Sequence, residues 1–153
     1  MAVTRAMNGA TKPRPKLELG DLERPTKIDG CDTVPKLMLH RCKEMGNAIA
    51  HREKDRGLWQ SFSWNDFHER TEAIALGLEA LGMGAGDVVS VLSEYRKEWI
   101  DTDMAVQAAR GACSGIYTTD SASQLAYLVN DSGSRFLFIE NDEQLDKYLS
   151  ARA

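Results

Sequence analysis

Three glycines at alternate positions, Gly82, Gly84 and Gly86 in the stretch LGMGAGDVVSV (81–91), are the first residues whose spacing suggests chemistry. Glycines so spaced cradle phosphate when a strand precedes them and a helix follows, because the backbone N–H groups at the helix start then face the anion. Here the order is reversed. Phe67, Thr71, Ile74, Ala75, Leu78 and Leu81 recur at helical spacing before the glycines, and the β-branched run DVVSVL (87–92) follows them. Gly82 therefore stands where a left-handed residue ends a helix, and Gly84 and Gly86 permit a tight turn into a strand.

Histidines and cysteines are the next candidates. Cys31, His40, Cys42 and His51 invite a metal reading, but His40 and Cys42 are two apart on a predicted helix and point to different faces. No C-x-x-C or H-x-x-x-H pair occurs, so no metal site is expected. Cys113 would need a base and exposure to act as a nucleophile; it falls in a predicted buried strand without a neighbouring His and reads as a small core residue. His68 lies on the polar face of its helix and reads as solvated. Trp59, Trp64 and Trp99 read as core and staple residues, since no basic stripe accompanies them as a nucleic-acid platform would require.

The elements that must position such residues follow from periodicity. Residues 1–32 hold Pro13, Pro15 and Pro25 and show no period, which predicts a mobile leader. Arg5, Lys12, Arg14 and Lys16 precede the first acid, Glu18, as in a transit peptide, but without its amphipathic stripe. Thr33 is placed to cap a helix over 34–45 with Pro35 in its first turn. AIAHRE (48–53) and LWQSFS (58–63) around KDRG predict a β-hairpin. Ser63 and Asp66 form a capping box that opens the next helix.

Beyond the glycines the theme repeats. A strand at 87–92 is followed by the helical EYRKEWIDTDMAVQAAR, then the short strand ACSGIY (112–117). SASQLAYLVND opens with Ser121 and Gln124 in capping-box register, and the apolar run RFLFIE (135–140) precedes a last helix opened by Asn141 and Gln144. Strand–helix alternation at this spacing predicts an α/β fold: a partial parallel sheet of βαβ units with an N-terminal helix and β-hairpin. Ligands of such sheets gather at the carboxyl ends of the strands, here Ser93-Glu94, Tyr117-Thr118-Thr119 and Glu140-Asn141. Side-chain oxygens at these turns more often cap the following helix, a role for which Ser93 and Asn141 are well placed. A phosphoacceptor receiver would need an acidic pair after the first strand and Asp after the third; Leu92-Ser93-Glu94 and Ile139-Glu140-Asn141 do not match.

A net charge of −4 with interspersed signs argues against nucleic acid as a partner, and no apolar run is long enough for a transmembrane segment. Three scattered cysteines fit free thiols in a reducing compartment, so the expected location is cytoplasmic.

The succession TVPKLMLHRC, REKDRGLWQSFSWNDF, ALGLEALGMGAGDVVSVLSEYRKEW and AVQAARGACSGIYTTDSASQLAYLVNDSGSRFLF resembles the N-terminal part of a long-chain fatty-acid–CoA ligase, a member of the AMP-binding, acyl-adenylate-forming superfamily. FSWNDF is similar to that family's first core motif and AARGACSGIYTT to its second. Arg110-Gly111 stands where the family usually has Ala-Gly, and Gly115 where it often has Pro. The resemblance implies formation of acyl-CoA from fatty acid, ATP and CoA through an acyl-adenylate, with Mg, in the complete enzyme. None of the family's phosphate loop, magnesium carboxylate, hinge or catalytic Lys maps onto a position here. The chain is therefore expected to be a truncated N-terminal fragment over 33–153, inactive alone, with no catalytic, cofactor-binding or metal residue of its own. RFLFIE is expected at an unfinished sheet edge, so self-association or the rest of a ligase is the expected partner. The alternative is a non-catalytic α/β module that pairs through its sheet edge.

Overall fold

The computed structural model describes residues 2–5 and 27–151. The elements run β1 (Ala2–Arg5), α1 (Val34–Met45), β2 (Ile49–Asp55), β3 (Leu58–Ser63), α2 (Trp64–Ala80) and β4 (Val88–Leu92). Then follow α3 (Lys97–Ala108), β5 (Ala112–Ile116), α4 (Ala122–Asp131), β6 (Ser134–Ile139) and α5 (Asp142–Ala151). β4, β5 and β6 form the expected parallel sheet, with β4 central between β6 and β5. β2 and β3 form a separate antiparallel hairpin whose turn, Arg56-Gly57, has both residues at positive φ (46° and 84°).

The sheet is covered on both faces, which is why its strands read as unbroken apolar runs. Along β4 and β6, Val89, Val91, Phe136 and Phe138 join Leu78 of α2 and Val106 of α3 in one core. Leu92, Leu137 and Ile139 join Leu125 and Val129 of α4 and Tyr148 of α5 in the other. The strand period of two thus sorts one run into two cores. On the second face, β4 and β6 also share a buried hydroxyl contact, Ser90 Oγ to Ser134 Oγ at 2.5 Å.

Helix starts follow the sequence closely. Thr33 Oγ1 accepts the Lys36 N–H, and Ser63–Asp66 and Ser121–Gln124 are complete capping boxes. α2 ends as expected at Gly82 (φ 88°): Gly82 N–H donates to Glu79 O at 2.8 Å and Met83 N–H to Leu78 O at 2.9 Å, the paired bonds of a Schellman turn. Gly86 also has positive φ (81°), whereas Gly84 does not; its N–H donates to Asp87 Oδ2 at 2.7 Å. Arg135 Nη1 reaches the same oxygen at 2.5 Å and fastens the turn to β6.

Three expectations need correction. Residues 1–32 were expected to hold no element, yet Ala2–Arg5 pairs antiparallel with β6, from Ala2 opposite Ile139 to Arg5 opposite Phe136. A sheet edge presents open N–H and C=O groups, and a short extended segment satisfies them. β6 is therefore flanked on both sides, so RFLFIE is not an edge, and β1 makes the sheet mixed rather than purely parallel. The rest of the leader, 6–26, lies outside the described residues; ahead of Thr33, Ile28 and Cys31 are bridged across a turn. Trp59 is not a core residue: it lies on the hairpin and is 67% exposed.

The turn glycines are not equivalent. A Cβ on Gly82 meets nothing closer than 3.5 Å, so Gly82→Ala is expected to cost only the positive-φ strain, about 1 kcal/mol. A Cβ on Gly111 would overlap Met83 Cε and stand 2.9 Å from the Asp87 carbonyl oxygen, so backbone has to move. Gly111→Ala is expected to cost more, about 1–3 kcal/mol. Denaturant unfolding of the two variants side by side checks the order.

Candidate functional site

The carboxyl ends of the three parallel strands bring together most of the polar residues expected there. Ser93 and Glu94 leave β4, Tyr117 and Thr118 leave β5, and Glu140 and Asn141 leave β6. The chain passes from β5 on one side of β4 to β6 on the other, and β4's following helix lies on the opposite face from β6's. The crevice between the ends of β4 and β6 is therefore the switch point at which open α/β sheets bind ligands.

In this chain the crevice is bridged by the protein itself. Glu140 Oε2 accepts the Glu94 N–H at 2.7 Å and the Ser93 hydroxyl at 3.1 Å, and Oε1 accepts from Asn141 Nδ2 at 2.9 Å. Asn141 Oδ1 caps α5 by accepting the Gln144 N–H at 3.0 Å, the role anticipated for it. Ser93 does not cap α3. That helix has Arg96 at its N-cap position with no side-chain cap, and Ser93, three residues earlier, is turned toward Glu140.

An open cleft of about 350 Å³ lies instead over the ends of β4 and β5. Its rim carries Tyr95 and Tyr117, 83% and 79% exposed, and its floor carries Trp99 and Gly115. Gly115 is what admits Trp99: a Cβ there would meet the indole at 3.3 Å. Glu94 accepts from the Thr118 hydroxyl, and Lys147 Nζ donates to the Thr118 carbonyl. Thr119 does not line the cleft. The arrangement offers aromatic faces and one carboxylate for binding, but no paired nucleophile and base.

A second polar cluster, invisible to local spacing, lies where the hairpin meets α2 and α3. Arg70 Nε donates to Asp101 Oδ2 at 2.6 Å, joining residues 31 apart in sequence, and Asp101 is 1% exposed. Burial pushes the Asp101 carboxyl up and the His51 imidazole down from their ordinary values. Arg70 and Lys97 both stand 5.0 Å from the centre of the Phe62 ring, which they hold from β3. Lys97 also pairs with Glu53 of β2 at 2.9 Å and with Glu98. Burial raises the Glu98 carboxyl, but hydrogen bonds from Lys97, the backbone and Arg96 outweigh it and bring the group down to about 2.

The cysteine and histidine candidates do not converge. Cys42 is buried in α1, Cys31 is half-buried in the turn before it, and Cys113 packs against the core on β5. Burial, then Asp103, pushes the Cys113 thiol up to about 12, which opposes a nucleophilic role. His40 faces Glu44 at 3.3 Å, and His51 stacks edge-on to Phe67 at 4.7 Å. His68 is half-buried rather than solvated, and lines a groove between helices.

Residues 39–153 match the AMP-binding enzyme family. The chain belongs to that family. It is 30% identical over 118 residues to the human long-chain-fatty-acid–CoA ligase ACSBG2, covering 77% of this chain and 18% of that one. It is also 30% identical over 125 residues to an uncharacterized Mycobacterium tuberculosis protein, Rv1549, covering 82% of this chain and 67% of that one. The fold matches the N-terminal domain of FACL13 from Mycobacterium tuberculosis with a TM-score of 0.71 at 18% identity, over 78% of this chain and 29% of that one. The chain thus spans about a fifth of the length of the ligases it matches. No helix among the described residues is long and apolar enough to cross a membrane.

Two outcomes test this account of the site. Glu140→Ala should cost about 1–3 kcal/mol, because it leaves the Ser93–Glu94 turn without its acceptor, and Glu140→Gln should cost less; chemical denaturation reads both. Glu98, lowered to about 2 from an ordinary 4.5, contributes stability that is present above pH 4.5 and lost as pH falls through 2. Asp101 is shifted the opposite way, chiefly by burial and in small part by Glu98 itself, so the difference between wild type and Glu98→Gln reports Glu98 together with that minor coupling. The stability gap between them should close as pH is lowered through that window.

Proposed function

We propose that this chain is the N-terminal scaffold of a long-chain fatty-acid–CoA ligase, with residues 33–153 as one folding unit and a cytoplasmic location. The carrying observation is the match of 39–153 to the AMP-binding enzyme family, joined by 30% identity to a named fatty-acid–CoA ligase. In this reading the complete enzyme joins fatty acid, ATP and CoA through an acyl-adenylate. The chain supplies sheet, helices and hairpin rather than reacting groups. The polar residues at the strand ends support that role: Glu140, Ser93 and Asn141 spend their hydrogen bonds on each other and on the backbone.

Adenylation requires neutralisation of a phosphoryl centre by positioned donors and a metal ion. Gly82, Gly84 and Gly86 close a helix and fasten β4, so they are not phosphate donors in this reading. The isolated 153-residue chain is expected to show no fatty-acid-dependent exchange of pyrophosphate into ATP. Exchange above background, in material from a host lacking its own ligase, would overturn the scaffold reading.

A second reading, a free-standing module that pairs through its sheet edge, draws on the match to Rv1549, of which this chain covers 67%. Among the described residues, β5 is the parallel edge of the sheet. Protection of the β5 amides from hydrogen exchange on mixing with a partner would favour the module over the scaffold.

A further inference from the structure

We propose that the outer face of the β2–β3 hairpin docks on an anionic lipid bilayer, with Trp59 in the headgroup zone and Arg52 and Lys54 against anionic headgroups. The stretch REKD (52–55) alternates in charge with period two, and a strand sends alternate residues to opposite faces. The ladder fixes which sign goes where. Directly opposed residues of an antiparallel pair share a face; Lys54 lies opposite Trp59, and Arg52 lies opposite Ser61, two positions along. All four are exposed. Glu53 and Asp55 alternate onto the other face, that of His51 and Phe62, where Glu53 is held by Lys97 at 2.9 Å. The outer face therefore carries two cations, one indole and no carboxylate.

This face differs from ordinary surface in two ways. Several cations elsewhere are engaged, Lys36 by Asp32, Arg96 by Glu98 and Arg135 by Asp87. Arg52, Lys54 and the turn residue Arg56 have no side-chain partner among the described residues. Apolar surface is also left in water here: Trp59 is 67% exposed, and Leu58 at the hairpin end is 68% exposed. A single exposed apolar residue is common. An indole directly across the ladder from an unpaired cation, on a face without acids, is complementary to a partner that is anionic and has an apolar layer beneath its charges. Spacing along the chain hides this pairing, because the cations and the indole come from different strands.

A bilayer fits that description better than other anions do. The face lines neither the tyrosine-rimmed cleft nor the groove between the helices, so it is no part of the concave sites where small molecules bind. Single-stranded nucleic acid stacks successive bases on several aromatics, and this face has one, on a chain of net charge −4. Tryptophan favours the membrane–water interface, and the anionic cytoplasmic leaflet attracts Lys and Arg. The excess negative charge of the chain then turns its remainder away from the membrane. This inference does not rest on the ligase reading.

The test is flotation of the full chain with vesicles of equal parts phosphatidylserine and phosphatidylcholine, against phosphatidylcholine alone. The chain should float with the anionic vesicles only, and less so as salt is raised. Arg52→Gln and Lys54→Gln should each weaken binding about fivefold, and Trp59→Ala about tenfold. All three positions are exposed, so the unfolding midpoint should not move. Lys43→Gln removes the same charge from an exposed position on α1 and should leave binding unchanged. Lipids brominated on their acyl chains should quench tryptophan fluorescence, and Trp59→Phe should abolish the quenching. Absence of binding to the anionic vesicles overturns the proposal, as does binding that Trp59→Ala and Arg52→Gln leave unchanged or that Lys43→Gln weakens equally. Binding of polyuridylate with the same sensitivity to these variants, and of no vesicle, overturns it in favour of nucleic acid.

Discussion

The burial of β4 on both faces is the constraint on which the rest of this structure depends. Val89, Val91 and Leu92 are each fully buried, and so is Ser90 between them. A strand with no solvent face needs a helical layer above and below and a strand on each side. α2 and α3 supply one layer, α4 and α5 the other, and β5 and β6 the flanks. The turn into this strand has almost no freedom. Asp87 holds the Gly84 amide and Arg135 through its side chain, and its carbonyl accepts the Ala112 N–H at 2.9 Å, close beside Gly111. The glycines that look like a nucleotide fingerprint are there because this entry is crowded.

The same topology decides where chemistry is placed. Because β5 and β6 lie on opposite sides of β4, the loops at their carboxyl ends converge on one edge. In an autonomous nucleotide-binding domain the crevice at that point is left open for the ligand. Here Glu140 closes it by bonding across to the Ser93–Glu94 turn. Among the described residues, a tyrosine-rimmed cleft and a groove between the helices remain open. The chain spans 18% of the length of a fatty-acid–CoA ligase that it matches.

Hairpin and helices are joined by a cluster of charged groups as well as by the ring contact of His51 with Phe67. Phe62 lies between the cations of Arg70 and Lys97, which are in turn engaged by Asp101, Glu53 and Glu98. A buried ion pair of this kind contributes less to stability than to holding one arrangement, because desolvation offsets much of the attraction. Removing one partner is far more costly than the net worth of the pair, since the other charge is left without compensation.

Local signals in the sequence determined the helix starts at Thr33, Ser63, Ser121 and Asn141, the stop at Gly82, the hairpin and the three parallel strands. Capping and strand periodicity act over three or four residues, so composition and spacing suffice to reveal them. Family membership was legible for a related reason: a run of such pieces in fixed order is itself a long pattern. What only the tertiary structure decided are the relations between distant residues. The pairing of β1 with β6, the bond of Ser93 to Glu140 instead of to its own helix, and the Arg70–Asp101 pair each join residues dozens of positions apart. No local preference encodes these contacts. They exist because the packed sheet brings open donors and acceptors within reach of one another, and burial makes leaving them unpaired costly.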